Sequence, residues 1–530
     1  MILRDLISNL SRVTVTGSQD AEIHAITTSS REVQPGTVFA AIRGTTLDGH
    51  RFINDALAAG ATAILAETAQ PADYDSVATW LHVPDSRAAV SILASALTDH
   101  PWKNLSMAGV TGTNGKTTTA FLLHHLMKTA WHRAGLLGTI SVDDGETLET
   151  AKHTTPGSIE LSAILSRMAD NGCRGVAMEV SSHGIHQKRI SAIGFDACIF
   201  TNLTQDHLDY HGTIEAYYQA KADWFHALAA NPLGKKPVAI INNDDAYGAE
   251  LAKSLDGKMP IIRFGFGVHC DFRANNFRQS ARGMEFELAA KGKTYLVRAP
   301  LIGRFNVYNL LAAIAAASTC GIRPRDAVAA LTDAPQVPGR MQNVGNAGGA
   351  TVFVDYAHTP DALENSCRTL KELDPRRLIT VFGCGGDRDK GKRPLMAAAA
   401  SSLSDACVVT SDNPRSEDPL AIIREIESGL KGKAFRSIPD RAEAINFAVQ
   451  NSLSGDIILI AEKVMRQLSN SPLKRSTSTI ASTPAKHCVT VHKPFPTCDE
   501  SYFSPATCRH PWRIYRRRPD GCDHFRRRFH

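Results

Sequence analysis

Apolar and polar positions divide this chain into three differently patterned stretches and a remainder. Up to about residue 100, short apolar runs suited to strands, "TVFAAI" (37–42) and "ATAILAE" (61–67), alternate with helix-period segments at the start and near 52–59. Such alternation predicts a small α/β module. A second stretch, 101–334, opens with the strand pattern "LSMAGVTG" and closes with a long alanine-rich helix after Asn309. From 335 onward, "TVFVDYA", "LITVFGC", "ACVVTSD" and "DIILIA" are buried-type strands separated by helical patterns. That spacing predicts a parallel, doubly wound sheet with ligands at its carboxyl edge. The expected fold class is therefore α/β, with domains at 1–100, 101–334 and 335–461. Residues 462–530 show neither helical nor strand period and are expected to form a disordered tail.

Composition adds bounds. A chain that is 43% hydrophobic and 21% charged reads as a soluble globular protein. The longest small-apolar run, 310–317, is far short of the ~18 residues of a membrane span. The opening Met-Ile-Leu-Arg-Asp-Leu lacks the basic start and apolar core of a signal peptide. The expectation is a cytoplasmic monomer with no membrane contact. Lys+Arg number 59 and Asp+Glu 53, but 14 and 5 of these follow Ala461, leaving 45 and 48 before it. The basic character belongs to the tail, so no nucleic-acid partner is expected. Seven of 11 cysteines are scattered before Ala461 without a paired spacing, which suits reduced core thiols. In the tail, Cys508, His510, Cys522 and His524 also lack zinc-module spacing.

"AGVTGTNGKTTTA" (108–120) carries the clearest chemistry. A strand ending at Val110, a glycine turn and a helix beginning near Lys116 form an anion cradle of backbone N–H groups. Gly112 and Gly115 allow close approach of a phosphate, Lys116 adds a point charge, and Thr117 or Thr118 can hold Mg²⁺. Downstream, "AMEVSSHGIHQKR" offers Glu179, and "TNLTQDHLDYHG" offers Asp206, His207, Asp209 and His211. Oxygen ligands with an occasional imidazole suit Mg²⁺ on nucleotide phosphates. Lys221, in "AYYQAKADWF", reads from its own surroundings as a lysine covering a helix face.

Taken together, these motifs resemble the Mur ligase family of peptidoglycan synthesis, over roughly 1–461. The resemblance implies a central P-loop ATPase domain and a C-terminal Rossmann-like domain. It implies an ATP loop at Gly112, Thr113, Asn114, Gly115, Lys116, Thr117 and Thr118. Thr154, Thr155, Ser181, Gln187 and Arg189 resemble the UDP-muramyl-peptide site, and Thr28, Ser30 and the "GTTLDG" turn the uridine region. Lys221 matches a lysine that CO₂ converts to a carbamate, a metal ligand beside Thr117, Glu179 and His207. Such a change turns a cation that would repel metal into an anion that binds it. Asn306, Asn309, Arg340 and Asp355 match residues holding adenine, phosphate and ribose.

Arg388, Asp412, Asn413 and Arg415, in "GCGGDRDKGKRP" and "SDNPR", match the site for the incoming amino acid in the diaminopimelate-adding branch. Arginine forks bind carboxylates bidentately, and diaminopimelate has a distal carboxylate that lysine lacks. The implied activity is an ATP-dependent ligase joining meso-diaminopimelate to UDP-N-acetylmuramoyl-L-alanyl-D-glutamate through an acyl phosphate, with Mg²⁺. In the family, Gly-Lys-Gly-His-Glu follows the strand matching "DIILIA"; here Glu-Lys-Val-Met-Arg stands in its place. Inserting one G after a GCG codon for Ala461 restores the family reading, so a single-base deletion is the expected origin of the tail. An incomplete third domain makes an inactive nucleotide- and UDP-sugar-binding protein the alternative.

Overall fold

A computed structural model describes residues 1–44, 47–72, 74, 77–430 and 434–461. Thr45 and Thr46 of the "GTTLDG" turn and all of 462–530, including the cysteines and histidines named above, lie outside the described residues.

The described chain builds three sheets, of five, eleven and six strands. In the first, Thr79–His82, Ala63–Ala66, Thr37–Ala40 and Ala25–Thr27 run parallel, and Thr14–Thr16 closes one edge antiparallel. Helix Ser86–Leu97 covers one face of it through Ala89, Val90 and Leu93.

The central sheet is organised around Ser106–Thr111. This strand lies between Gly175–Glu179 and Ala197–Phe200, parallel to both. Helices Lys116–Trp131 and Arg304–Thr319 share one core on this sheet, with Leu122, Leu126, Leu310 and Ile314 buried together. Phe195, Trp224 and Phe225 belong to a second core. Helix Arg304–Thr319 starts earlier than the alanine run suggests, so Asn309 lies inside it rather than before it. Val307 is wholly buried like Leu310 and Leu311, so the apolar stripe extends toward the N-terminus past the alanines.

The third sheet has the order Gln342–Ala347, Ala350–Asp355, Ile457–Ala461, Leu378–Phe382, Ala406–Val409, Phe435–Ser437. All neighbours are parallel except the first pair. The two edge strands carry no apolar run, the first being polar and the last only three residues long, which hides them from a hydrophobicity pattern. Ile457–Ala461 is an interior strand: it pairs on both sides, and Ile458 and Leu459 are fully buried. Its register sets Ala461 opposite Asp355 at the carboxyl edge, and Arg441 donates to the Ala461 carbonyl at 2.7 Å. No helix among the described residues is long and apolar enough to cross a membrane.

Candidate active site

Strand Ser106–Thr111 delivers the chain to the phosphate loop, and helix Lys116–Trp131 carries it away. Gly112 has φ +142° and Gly115 φ +87°, a region that side chains rarely adopt. A Cβ at Gly112 would collide with Thr201 Oγ1, and one at Gly115 with Asn309 Oδ1. Asn114 N–H donates to Asn202 Oδ1 at 2.9 Å, and Thr201 Oγ1 to the Asn114 carbonyl at 2.6 Å, so the loop is tied to the end of the neighbouring strand.

Two lysines converge behind this loop. Lys116 Nζ and Lys221 Nζ each donate to the Gly112 carbonyl at 2.9 Å. Lys221 is 1% exposed, on helix Ile214–Ala230, with its ammonium 4.4 Å from the centre of the Tyr217 ring. Burial, reinforced by the charge of Lys116, pushes the Lys221 amine well below the usual lysine range. Two full positive charges sharing one carbonyl are costly, which favours the neutral form of the Lys221 amine.

Glu179, fully buried at the end of its strand, is the junction of the site. Its carboxylate accepts from Thr117 Oγ1 at 3.0 Å, Thr139 N at 2.7 Å and Thr139 Oγ1 at 3.1 Å. Its backbone carbonyl accepts from Thr155 Oγ1 at 2.9 Å, and that hydroxyl in turn accepts from Ser181 N at 3.0 Å. Thr154 Oγ1 lies 3.0 Å from Thr139 Oγ1. Arg189 forks onto Gln187 Oε1 at 3.1 and 2.7 Å and reaches the Thr155 carbonyl at 2.6 Å. The residues expected at the phosphate loop and at the muramyl-peptide site thus form one continuous network. His207 adjoins it, with φ +52° and its ring 6.0 Å from that of Tyr217; burial lowers its pKa. No three His, Cys, Asp or Glu side chains among the described residues are grouped as a metal cage. Thr117 and Glu179 offer oxygen donors and His207 an imidazole, the donor types that suit Mg²⁺ on nucleotide phosphates.

A cavity of about 740 Å³ opens beside the loop and takes its walls from both the central and the third sheet regions. Thr113–Thr118, Phe264, Tyr308 and Asn309 line one side, Arg340, Asp355 and His358 the other. Asn306 is buried beneath and does not line the cavity: its Nδ2 donates to the Ile302 carbonyl and its Oδ1 accepts from Asn309 Nδ2. The Arg340 guanidinium lies 5.2 Å from the centre of the Tyr356 ring. Asp355 accepts from Ser366 Oγ at 3.1 Å, and burial pushes its carboxyl up to about 6.

Arg388, Asp412, Asn413 and Arg415 stand apart from this cavity, on two loops at the carboxyl edge of the third sheet. Arg388, Asn413 and Arg415 are exposed and Asp412 is half-buried. Thr28 and Ser30 lie after strand Ala25–Thr27 in the first sheet region, Thr28 exposed and Ser30 half-buried. Residues that the sequence pattern did not single out include Thr139, Tyr217 and Tyr210. The hydroxyl of the last lies 2.9 Å from His186 Nδ1 and accepts from Gln187 Nε2 at 3.3 Å. Tyr217 had a usable signal, since it stands one helical turn before Lys221. Thr139 had only its place just after a three-residue strand.

Three regions match known domains: Mur ligase family, catalytic domain, at 22–98; Mur ligase middle domain at 110–317; and Mur ligase, glutamate ligase domain, at 339–463. The chain belongs to the Mur ligase family. Within it, the chain is 42% identical over 466 residues to UDP-N-acetylmuramoyl-L-alanyl-D-glutamate–2,6-diaminopimelate ligase of Geobacillus kaustophilus, covering 87% of this chain and 94% of that protein. It is likewise 42% identical over 484 residues to the ligase of the same name from Geobacter sulfurreducens, with the same coverage. A solved structure of a ligase of that name superposes with a TM-score of 0.66 at 32% identity, over 87% of this chain and 94% of that one.

Proposed function

We propose that the chain is an ATP-dependent ligase that joins meso-diaminopimelate to UDP-N-acetylmuramoyl-L-alanyl-D-glutamate in cytoplasmic peptidoglycan precursor synthesis. The observation that carries this reading is the double use of Glu179. Its carboxylate serves the phosphate loop through Thr117, while its carbonyl serves the muramyl-peptide cluster through Thr155. A nucleotide phosphate and a peptide carboxylate held on either side of one residue are set for direct transfer.

In the first step a γ-carboxylate oxygen of the D-glutamyl residue attacks the γ-phosphorus of ATP, the bond to the β-phosphate oxygen breaks, and ADP leaves. The Lys116 ammonium and the N–H groups at the helix start offset charge on the phosphate oxygens as it moves. Arg189, braced by Gln187 and Thr155, holds the peptide so that its carboxylate stays in line. The amine of diaminopimelate then attacks the acyl carbon, inorganic phosphate leaves, and the amine's proton goes to solvent or phosphate. Arg388, Asn413 and Arg415 hold the far carboxylate, which orients that amine. Mg²⁺, held by Thr117, Glu179, His207 and a carbamylated Lys221, would supply charge neutralisation on the phosphates. The crowded amine of Lys221, sharing the Gly112 carbonyl with Lys116, supports this modification: the neutral form adds CO₂ and loses a proton.

Labelling the γ-carboxylate of the substrate with heavy oxygen tests the proposal. One labelled oxygen is expected in the inorganic phosphate formed, at one per amide bond. Amide formation with unlabelled phosphate would exclude the acyl phosphate, and absence of amide would exclude the ligase.

A further inference from the structure

A buried arginine behind the two amino-acid loops touches none of the groups proposed to react. Arg393, on helix Lys392–Leu403, is 0% exposed, although it lies only five positions beyond the exposed Arg388. Its guanidinium forks onto Glu417, with Nη2 to Oε1 at 2.7 Å and Nη1 to Oε2 at 3.1 Å. Nη1 also donates to Glu425 Oε2 at 2.7 Å, on helix Pro419–Glu427. Desolvating a guanidinium is expensive unless it is paired, and here one cation holds two carboxylates from outside its own helix.

The pair does more than neutralise itself. Glu417 Oε1 accepts from Asp387 N at 2.6 Å, so the same carboxylate grips the loop 383–391. Asp387 returns the contact: its Oδ1 accepts from Ser416 Oγ at 2.6 Å and its Oδ2 from Ser416 N at 3.2 Å. Gly386 N donates to the Asn413 carbonyl at 2.8 Å, a backbone bond that joins the two loops at one point and leaves their orientation to the side-chain bonds around it. Any side chain at Gly386 would collide with the Pro414 carbonyl. Asp387 and Arg415 both have φ +51°, an unfavourable conformation for residues with side chains. Such backbone persists only where surrounding bonds over-determine it. Arg388, Asn413 and Arg415 each lie within a residue or two of these cross-loop bonds.

We infer that Arg393 is a positioning residue for amino-acid selection: through Glu417 and Asp387 it locks both loops so that Arg388, Asn413 and Arg415 converge on one ligand carboxylate. This rests on the reading of those three residues as the diaminopimelate contacts. The side chains that meet the ligand are exposed, so their shared geometry has to be supplied from behind. Discrimination against lysine, whose side chain ends in no carboxylate, depends on that geometry more than turnover does.

The test replaces Arg393 by Met, which keeps length and removes the fork, and separately makes Glu417→Gln. Steady-state kinetics are measured for each substrate, with thermal unfolding of each variant. The wild-type chain must first use diaminopimelate, which tests the underlying reading by itself. For Arg393→Met the KM for diaminopimelate is expected to rise about 100-fold, the scale of a small misplacement of a positioned group. The KM values for ATP and the UDP-substrate should stay within about twofold, and the preference for diaminopimelate over lysine should collapse. Glu417→Gln should shift the same parameters less. Equal losses for all three substrates, or an unchanged amino-acid preference in a folded variant, would overturn the inference. If Arg393→Met does not fold, Glu417→Gln decides: an unchanged KM for diaminopimelate in that variant would overturn it as well.

Discussion

The two ends of the reaction are built on opposite principles. Around the phosphate loop the working groups are buried: Glu179 is 0% exposed, Lys221 1% and Thr117 5%. At the loops proposed to hold the amino acid, Arg388, Asn413 and Arg415 are exposed, and the buried group is Arg393, one layer behind them. Phosphoryl transfer gains from a site dried in advance, where fixed charges act at low dielectric. Choosing between two amines needs a ligand to enter and leave; under the proposed reading the contacts stay at the surface and their rigidity comes from the layer beneath.

If burial is what gives the phosphate end its power, Lys221→Ala should be the most damaging single change. It removes an amine from the shared Gly112 carbonyl and the group that carbamylation would modify. Turnover is expected to fall by ~10³, and CO₂-depleted buffer should lower the wild-type rate reversibly while leaving the variant unaffected. Equal bicarbonate responses in both would show that Lys221 is not the modified group. At the exposed end, Arg415→Ala should raise the KM for diaminopimelate by roughly 10- to 100-fold, the value of a charge-assisted hydrogen bond, and leave ATP binding alone. A matching loss of ATP affinity would erase the division between the two ends.

Gly115→Ala tests how tightly the cradle is built. Its positive φ and the collision with Asn309 predict a loss of about 1–3 kcal/mol in stability, read by thermal unfolding, with weaker ATP binding. A pH effect comes next. Burial raises the Asp355 carboxyl from its ordinary 3.8 to about 6. If this carboxylate accepts from the nucleotide ribose, ATP affinity should fall a few-fold as pH drops through about 6, and Asp355→Asn should be weak and flat across that range. The sign for stability is opposite: the neutral form favours the fold below pH 3.8, and that contribution is lost as pH rises through 6. Tyr217→Phe should be mildest, costing about 1 kcal/mol through the lost bond between its hydroxyl and Thr113 Oγ1.

The same contrast explains what was legible in the sequence. The phosphate loop could be read because its needs are local: a strand, Gly112 and Gly115 at positive φ, and Lys116 and Thr117 at a helix start all fall within one short motif. The buried strands of the third sheet were equally plain, since "DIILIA" is apolar on both faces. The polar edge strand Gln342–Ala347 was not, because nothing in its residues distinguishes it from a loop. Lys221 shows the limit most clearly. From its own helix it is an unremarkable cation, and only the fold brings it to the carbonyl that Lys116 already uses. Arg393 is similar: the surrounding "DRDKGKRP" is a run of charges in which one member is buried and the rest are not.

Ligase activity and amine choice are read together by incubating the purified full chain with ATP, Mg²⁺, UDP-N-acetylmuramoyl-L-alanyl-D-glutamate and an equimolar mixture of meso-diaminopimelate and L-lysine, and identifying the product by mass. The expected result is an ATP-dependent product carrying diaminopimelate, with little or none carrying lysine. A lysine product of equal or greater yield, or ATP bound with no amide formed, would contradict it.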